Sequence, residues 1–219
     1  MFTLGYLNKL LMKKIFLTLT FLGAFCLFAK AQLSAGAGVT TTNFGSEFGK
    51  ASLGVHLRGS YYFREKVAAG LGVSYSLPIK STYDDGSAKF DRTSSFMSVG
   101  VVATFHLIGS YETDFSWYFP FAANYQFGNS KYSIAANQPA GTVAPENEKL
   151  SGLTVGLNTG LQYRIGNPYV FVEAGFALAA NNTSNTRDGV IGTNPAPSST
   201  VLQLGIRIPF GSGVGGGVY

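Results

Sequence analysis

Charge is scarce in this chain of 219 residues: Asp, Glu, Lys and Arg make up only 12%. That is low for a water-soluble domain of this size. There is one cysteine, and there are two histidines. Long hydrophobic runs are missing too. After residue 31 no window offers the roughly 18 continuous apolar residues of a transmembrane helix. The 46% of hydrophobic residues must therefore be spent in another pattern.

The first 31 residues explain part of the composition. "MKKIFLTLTFLGAFCLFAKAQ" has a basic start (Lys13, Lys14), an apolar run from Ile15 to Phe28, and Ala29 and Ala31 spaced as A-x-A. That is the layout of a secretory signal peptide, with cleavage expected after Ala31 and Met12 as the true start. Cys26 is no lipoprotein site, because the bulky Phe25 precedes it. Cleavage removes this cysteine, so the mature chain has neither disulfide nor thiol chemistry. It also removes Lys9, Lys13, Lys14 and Lys30. Lys+Arg then falls from 16 to 12 against 11 Asp+Glu, for a net charge of about +1. The basic balance is largely a targeting signal and no argument for nucleic-acid binding, so no nucleic-acid partner is expected.

What the mature chain has is alternation with period two. Leu53, Val55, Leu57, Tyr61 and Phe63 share one face; Ser52, Gly54, His56, Arg58 and Ser60 share the other. The same pattern recurs over 67–77, 97–107, 117–127, 153–165, 170–178 and 202–210, with a weaker first strand over 33–44. Eight strands are expected, each long enough for the roughly 9–11 residues of a tilted membrane strand. Short turns fall near 64–66, 108–114 and 166–168. Long polar segments fall near 79–92, 129–150 and 181–199, and 45–50 is intermediate. Pro120 lies within a strand and cannot donate to a ladder, which predicts a local bulge.

The two faces decide which side points inward. One carries Leu, Val, Phe, Tyr and Trp; the other carries Gly, Ser, Ala, Asn, Gln and single charges. An eight-stranded barrel has an interior just wide enough for side chains to fill. The bulky face does not fit there, so it points out, where lipid and not water is its natural solvent. Tyr61, Phe63, Trp117, Phe119, Tyr163 and Phe210 gather toward the short turns, and Tyr75, Tyr125, Phe127 and Phe176 toward the long loops, as two interfacial girdles.

The signal peptide, the eight alternating strands and the closing "VLQLGIRIPF" resemble the small eight-stranded outer-membrane barrels of OmpA/OmpX type. The resemblance covers residues 32–210. It implies an all-β, antiparallel up-and-down transmembrane barrel in the outer membrane of a Gram-negative cell, with outer-membrane lipid around it. It also implies that Phe210, Ile208 and Ile206 form the signal read by the barrel assembly machinery. The chain departs from that pattern by adding "GSGVGGGVY", a glycine-rich tail over 211–219.

Few residues suggest chemistry. His56 and His106 fall on inward positions, away from the lipid that a lipid-modifying Ser–His–acid enzyme would attack. Metal ligation needs clustered His, Cys or carboxylates, and the mature chain has none. Asp84-Asp85-Gly86 reads as a solvated turn. No catalytic residue, cofactor or metal is expected. That leaves the inward charges Arg58, Arg164, Arg207 and Glu173. With a tight turn at Asn167-Pro168, Gln162 would face Glu173 and Arg164 would be its diagonal neighbour. Glu173 is then expected to centre a lumen network with Arg164 and Arg207, extending to Arg58. Three roles follow, in descending order: a plugged barrel with a structural or surface-interaction role and an unidentified loop partner; a narrow passive channel; a lipid-modifying enzyme.

Overall fold

The computed structural model describes residues 32–45, 48, 51–84, 86–180 and 194–210. The expected signal peptide and glycine-rich tail lie outside them. Eight long strands form: β1 (Gln32–Asn43), β2 (Ser52–Arg64), β3 (Val67–Asp84), β4 (Lys89–Ile108), β5 (Phe115–Ile134), β6 (Glu148–Arg164), β7 (Tyr169–Ala179) and β9 (Ser199–Phe210). A two-residue β8 (Asn194–Pro195) lies parallel against Leu150 and Ser151 of β6. Each long strand pairs antiparallel with its sequence neighbours. The ring closes where β1 meets β9, with Leu33 opposite Phe210. Closure leaves no strand edge in the membrane, which is what hydrocarbon demands of a backbone.

The alternation points as its chemistry requires. Leu57, Leu71, Val101, Leu161 and Leu204 are exposed, whereas Ser60, Thr104, Gln126, Thr154 and Gln162 are buried in the lumen. Trp117 faces outward and donates its indole N–H to the Thr159 hydroxyl at 2.7 Å. A lipid-facing Trp thus keeps its one polar group satisfied.

Two expectations need correction. Pro120 produces no bulge: Thr104 opposite Pro120 and Phe105 opposite Phe119 continue the β4–β5 register unshifted. Instead Phe119 and Pro120 drop out of the β5–β6 ladder, which resumes in the same register at Phe121 opposite Leu157. A proline that cannot donate leaves a gap here and not an insertion. Second, 79–84, 89–92, 129–134 and 148–150 are strand, not loop. The ladders run out to Asp84 opposite Lys89 and to Phe90 opposite Ile134. Strands of 17 to 20 residues, as in β3 to β6, exceed what a bilayer needs. The four project as a sheet beyond the long-loop end. A bulge between Ser76 and Ile79 absorbs Pro78, just past the Gly54–Ser76 pair where β2 stops pairing with β3. There a missing N–H breaks no ladder.

The lumen has three tiers. At the short-turn end, aromatic and charged side chains fill it. In the middle lies a cavity of about 100 Å³, lined by Thr40, Ser74, Asn124, Gln126, Thr154 and Gln203 among others. At the long-loop end, Phe44 and Phe48 from the β1–β2 connection join Ile79, Phe96 and Leu150 in an apolar cluster. Asn43 accepts from the Gly45 N–H at 3.0 Å, and Gly45 has φ 89°, so the connection turns sharply back over the mouth. Phe44 stacks on Phe96 with centroids 4.1 Å apart.

Candidate functional site

Glu173 is the centre of the short-turn tier. It stands on β7 between Gly160 of β6 and Gln203 of β9. Its exposure is 0%, so its charge must be met by protein. Arg58 of β2 meets it with both forks: Nη1 donates to Oε1 at 2.7 Å and Nη2 to Oε2 at 2.8 Å. This bidentate pairing is the strong form of an ion pair. β2 and β7 are three strands apart one way round the ring and five the other, so the pair nearly spans the lumen. Tyr118 of β5 donates its hydroxyl to Oε1 at 2.9 Å.

Arg207 of β9 adds a second cation. Its Nη2 lies 3.5 Å from Glu173 Oε1, a looser contact than that of Arg58. One carboxylate cannot neutralise two guanidinium groups, and the surplus is met by softer partners. Nη1 donates to Gln162 Oε1 and approaches the Tyr62 hydroxyl at 3.4 Å. The guanidinium also lies over the rings of Tyr118 and Phe171, each centroid 5.1 Å away. Cation–π contacts strengthen when desolvated, as here.

Gly160 makes the arrangement possible. It faces Tyr118 on one side and Glu173 on the other. A Cβ there would lie 2.6 Å from the Tyr118 ring and 2.9 Å from Glu173 Cγ. The tyrosine reaches the carboxylate across the space a side chain would fill.

Arg164 is not part of this cluster. The β6–β7 register places Arg164 opposite Tyr169 and Gly160 opposite Glu173, so the hairpin is two residues off the expected pairing. The reason is the turn. A type I′ hairpin turn at Asn167-Pro168 needs positive φ at both residues, which the proline ring forbids, and a type II′ turn needs it at Asn167, a residue already restricted by the proline after it. The chain instead takes positive φ at Gly166 (70°), and the Ile165 N–H bonds the Pro168 carbonyl at 2.8 Å. Arg164 is held with Tyr169, donating to its hydroxyl with the guanidinium carbon 4.9 Å from the ring centroid. Tyr169 in turn donates to the Tyr111 carbonyl.

The histidines divide. His106 Nδ1 lies 3.1 Å from the Ser116 hydroxyl, a spacing that a nucleophile and its base would have. Ser116 is 0% exposed, however, and among the described residues no carboxylate bonds the other ring nitrogen. An acyl substrate has no path to that hydroxyl. His56 packs edge-on against Phe171, with both ring nitrogens unpartnered at the cavity wall. Among the described residues no three His, Cys, Asp or Glu converge as a metal site. Asp84 closes a turn by accepting from the Gly86 N–H at 2.9 Å; Asp85 lies outside the described residues.

Sequence reasoning did not assign Tyr118, Gln162 and Gly160 to the network. The available signal was a bulky Tyr118 on an otherwise small-residue face, which needs a glycine opposite.

No protein-family model matches the chain, and no curated protein matches it. Solved structures do. A major outer membrane protein from Thermus thermophilus superposes with TM-score 0.60 at 15% identity, covering 82% of this chain and 99% of that one. Ail, the attachment invasion locus protein of Yersinia pestis, solved with the heparin analogue sucrose octasulfate, gives TM-score 0.50 at 16% identity, with coverage of 82% and 99%. The fold is that of the OmpA/OmpX-type outer-membrane barrel. Such a barrel, girdled by apolar side chains, resides in the cell outer membrane.

Proposed function

We propose that this barrel is a closed scaffold, with a plugged lumen and a structural or surface-interaction role. The observation that carries the reading is the bidentate Arg58–Glu173 pair laid across the lumen, backed by Tyr118 and Arg207. The apolar cluster of Phe44, Phe48 and Phe96 supports closure at the other end. The working surface is then the exterior sheet of β3 to β6 with the connections above it, facing a partner yet to be identified. No catalytic role is proposed, because the His106–Ser116 pair is sealed from substrate. For assembly, β9 presents Ile206, Ile208 and Phe210 outward, which suits recognition by the barrel assembly machinery.

The 100 Å³ cavity favours a second reading, a narrow passive channel interrupted by the ion pair. Planar-bilayer recording separates the two. The refolded full chain is expected to give no discrete conductance steps. Reproducible steps from the unmodified barrel would overturn the closed reading and favour the channel.

A further inference from the structure

Four lysines stand on the outer face of the projecting sheet: Lys80, Lys89, Lys131 and Lys149, all exposed. The register fixes their levels. Lys80 of β3 lies opposite Thr93 of β4, which lies opposite Lys131 of β5. Lys149 of β6 lies opposite Asn129, one outward position before Lys131. Lys131 and Lys149 are therefore diagonal neighbours, a like-charge arrangement that is unfavourable unless an anion sits between. Lys89 differs, being paired with Asp84 at 3.9 Å. Among the described residues, Lys80, Lys131 and Lys149 have no ion pair. Asp91 stands one outward step further, opposite Thr82 and Ser133, and is the diagonal neighbour of both Lys80 and Lys131, without an ion pair to either among the described residues.

The height of this band matters as much as its charge. Tyr75, Met97 and Phe127 share one level, and the exposed Leu77 stands one outward step beyond Tyr75, before Lys80. Lys149 is one outward step beyond Phe127, and Lys131 two. Each step is about 7 Å along a tilted strand. The polar headgroup zone adds roughly 5–8 Å on each side of the hydrocarbon core. A flexible lysine can bend back over such a distance. Lys149 thus stands at headgroup level, and Lys80 and Lys131, about 14 Å along the strand beyond Phe127, reach back toward it. Among the described residues, the outward positions at the same end of β1, β2, β7 and β9 carry no Lys or Arg.

We infer that Lys80, Lys131 and Lys149 form a one-sided docking site for the phosphate groups of anionic lipid in the exterior leaflet. The site clamps the barrel to phosphorylated lipid along its β3–β6 wall. It rests on the lipid-facing outer surface and not on a closed lumen, so a conducting barrel would leave it standing.

Native mass spectrometry of the full chain in detergent, titrated with bisphosphorylated lipid A or its dephosphorylated form, tests this. The unmodified barrel is expected to bind the bisphosphorylated form at least tenfold more tightly. The triple variant Lys80→Gln/Lys131→Gln/Lys149→Gln is expected to lose that preference. At about fivefold per lysine, its affinity should fall on the order of a hundredfold. Lys89→Gln should bind as the parent does, and a heat-dependent gel shift verifies that each variant is folded. Equal binding of the two lipids, an undiminished triple variant, or an equal loss in Lys89→Gln would each overturn the assignment.

Discussion

Glu173→Gln removes one charge and almost no volume, so it isolates electrostatics from packing. The carboxylate it replaces is wholly buried and receives two Arg58 bonds at 2.7 and 2.8 Å, the Tyr118 hydroxyl at 2.9 Å and Arg207 at 3.5 Å. A glutamine keeps one acceptor oxygen. Its NH₂ must then face an N–H of Arg58, donor against donor. Arg58 and Arg207, with side-chain exposures of 9% and 4%, are left as buried cations with no counter-charge. Breaking a buried pair from one side typically costs about 3–5 kcal/mol. With a urea slope of about 1–3 kcal/mol/M, the unfolding midpoint should fall by roughly 1–5 M. The assay is urea unfolding of the refolded barrel in vesicles, followed by the fluorescence of Trp117, the single tryptophan. Joint replacement, Arg58→Leu with Glu173→Leu, should lose less than Glu173→Gln alone, because no charge is stranded. A midpoint shift below about 0.5 M for Glu173→Gln, worth on the order of 1 kcal/mol or less, would refute the claim that this carboxylate holds the lumen together.

Gly160→Ala should push the Tyr118 ring off the carboxylate and lower stability by about 1–3 kcal/mol, the usual range for overpacking, read as the same midpoint. Phe96→Ala should remove about 3–5 kcal/mol from the mouth cluster and speed hydrogen exchange near Phe44 and Phe48, which rest on its ring. Phe210→Ala should slow insertion by the assembly machinery, while the refolded barrel loses no more than about 1.5–3 kcal/mol, the transfer of one lipid-facing ring; time-resolved folding gels distinguish the two effects.

The barrel was legible because lipid and lumen impose opposite chemistries on alternate residues, and 52–63 or 97–107 cannot hide that pattern. It faded where the membrane ends. From Ile79 to Arg92 both faces meet water or the mouth cluster, so Lys80, Thr82 and Asp91 alternate with nothing apolar outside, and the extended strands read as loops. The site was half legible. Parity placed Glu173, Arg58 and Arg207 inward, since a two-residue slip preserves the face. Only the turn set the partner, and Pro168 in a position demanding positive φ was the overlooked constraint. That slip moved Glu173 from Gln162 to Gly160 and carried Arg164 off to Tyr169.

The seam between β1 and β9 has a kinetic consequence. Every other neighbouring pair of strands is joined directly through the chain, but Leu33 meets Phe210 across nearly the whole described sequence. Contacts of such separation form late and slowly. Until they form, both rims expose a row of unmet amides to hydrocarbon. Strand β9 is therefore the latch for β1, and a half-zipped sheet has every reason to wait at the membrane surface until that latch arrives.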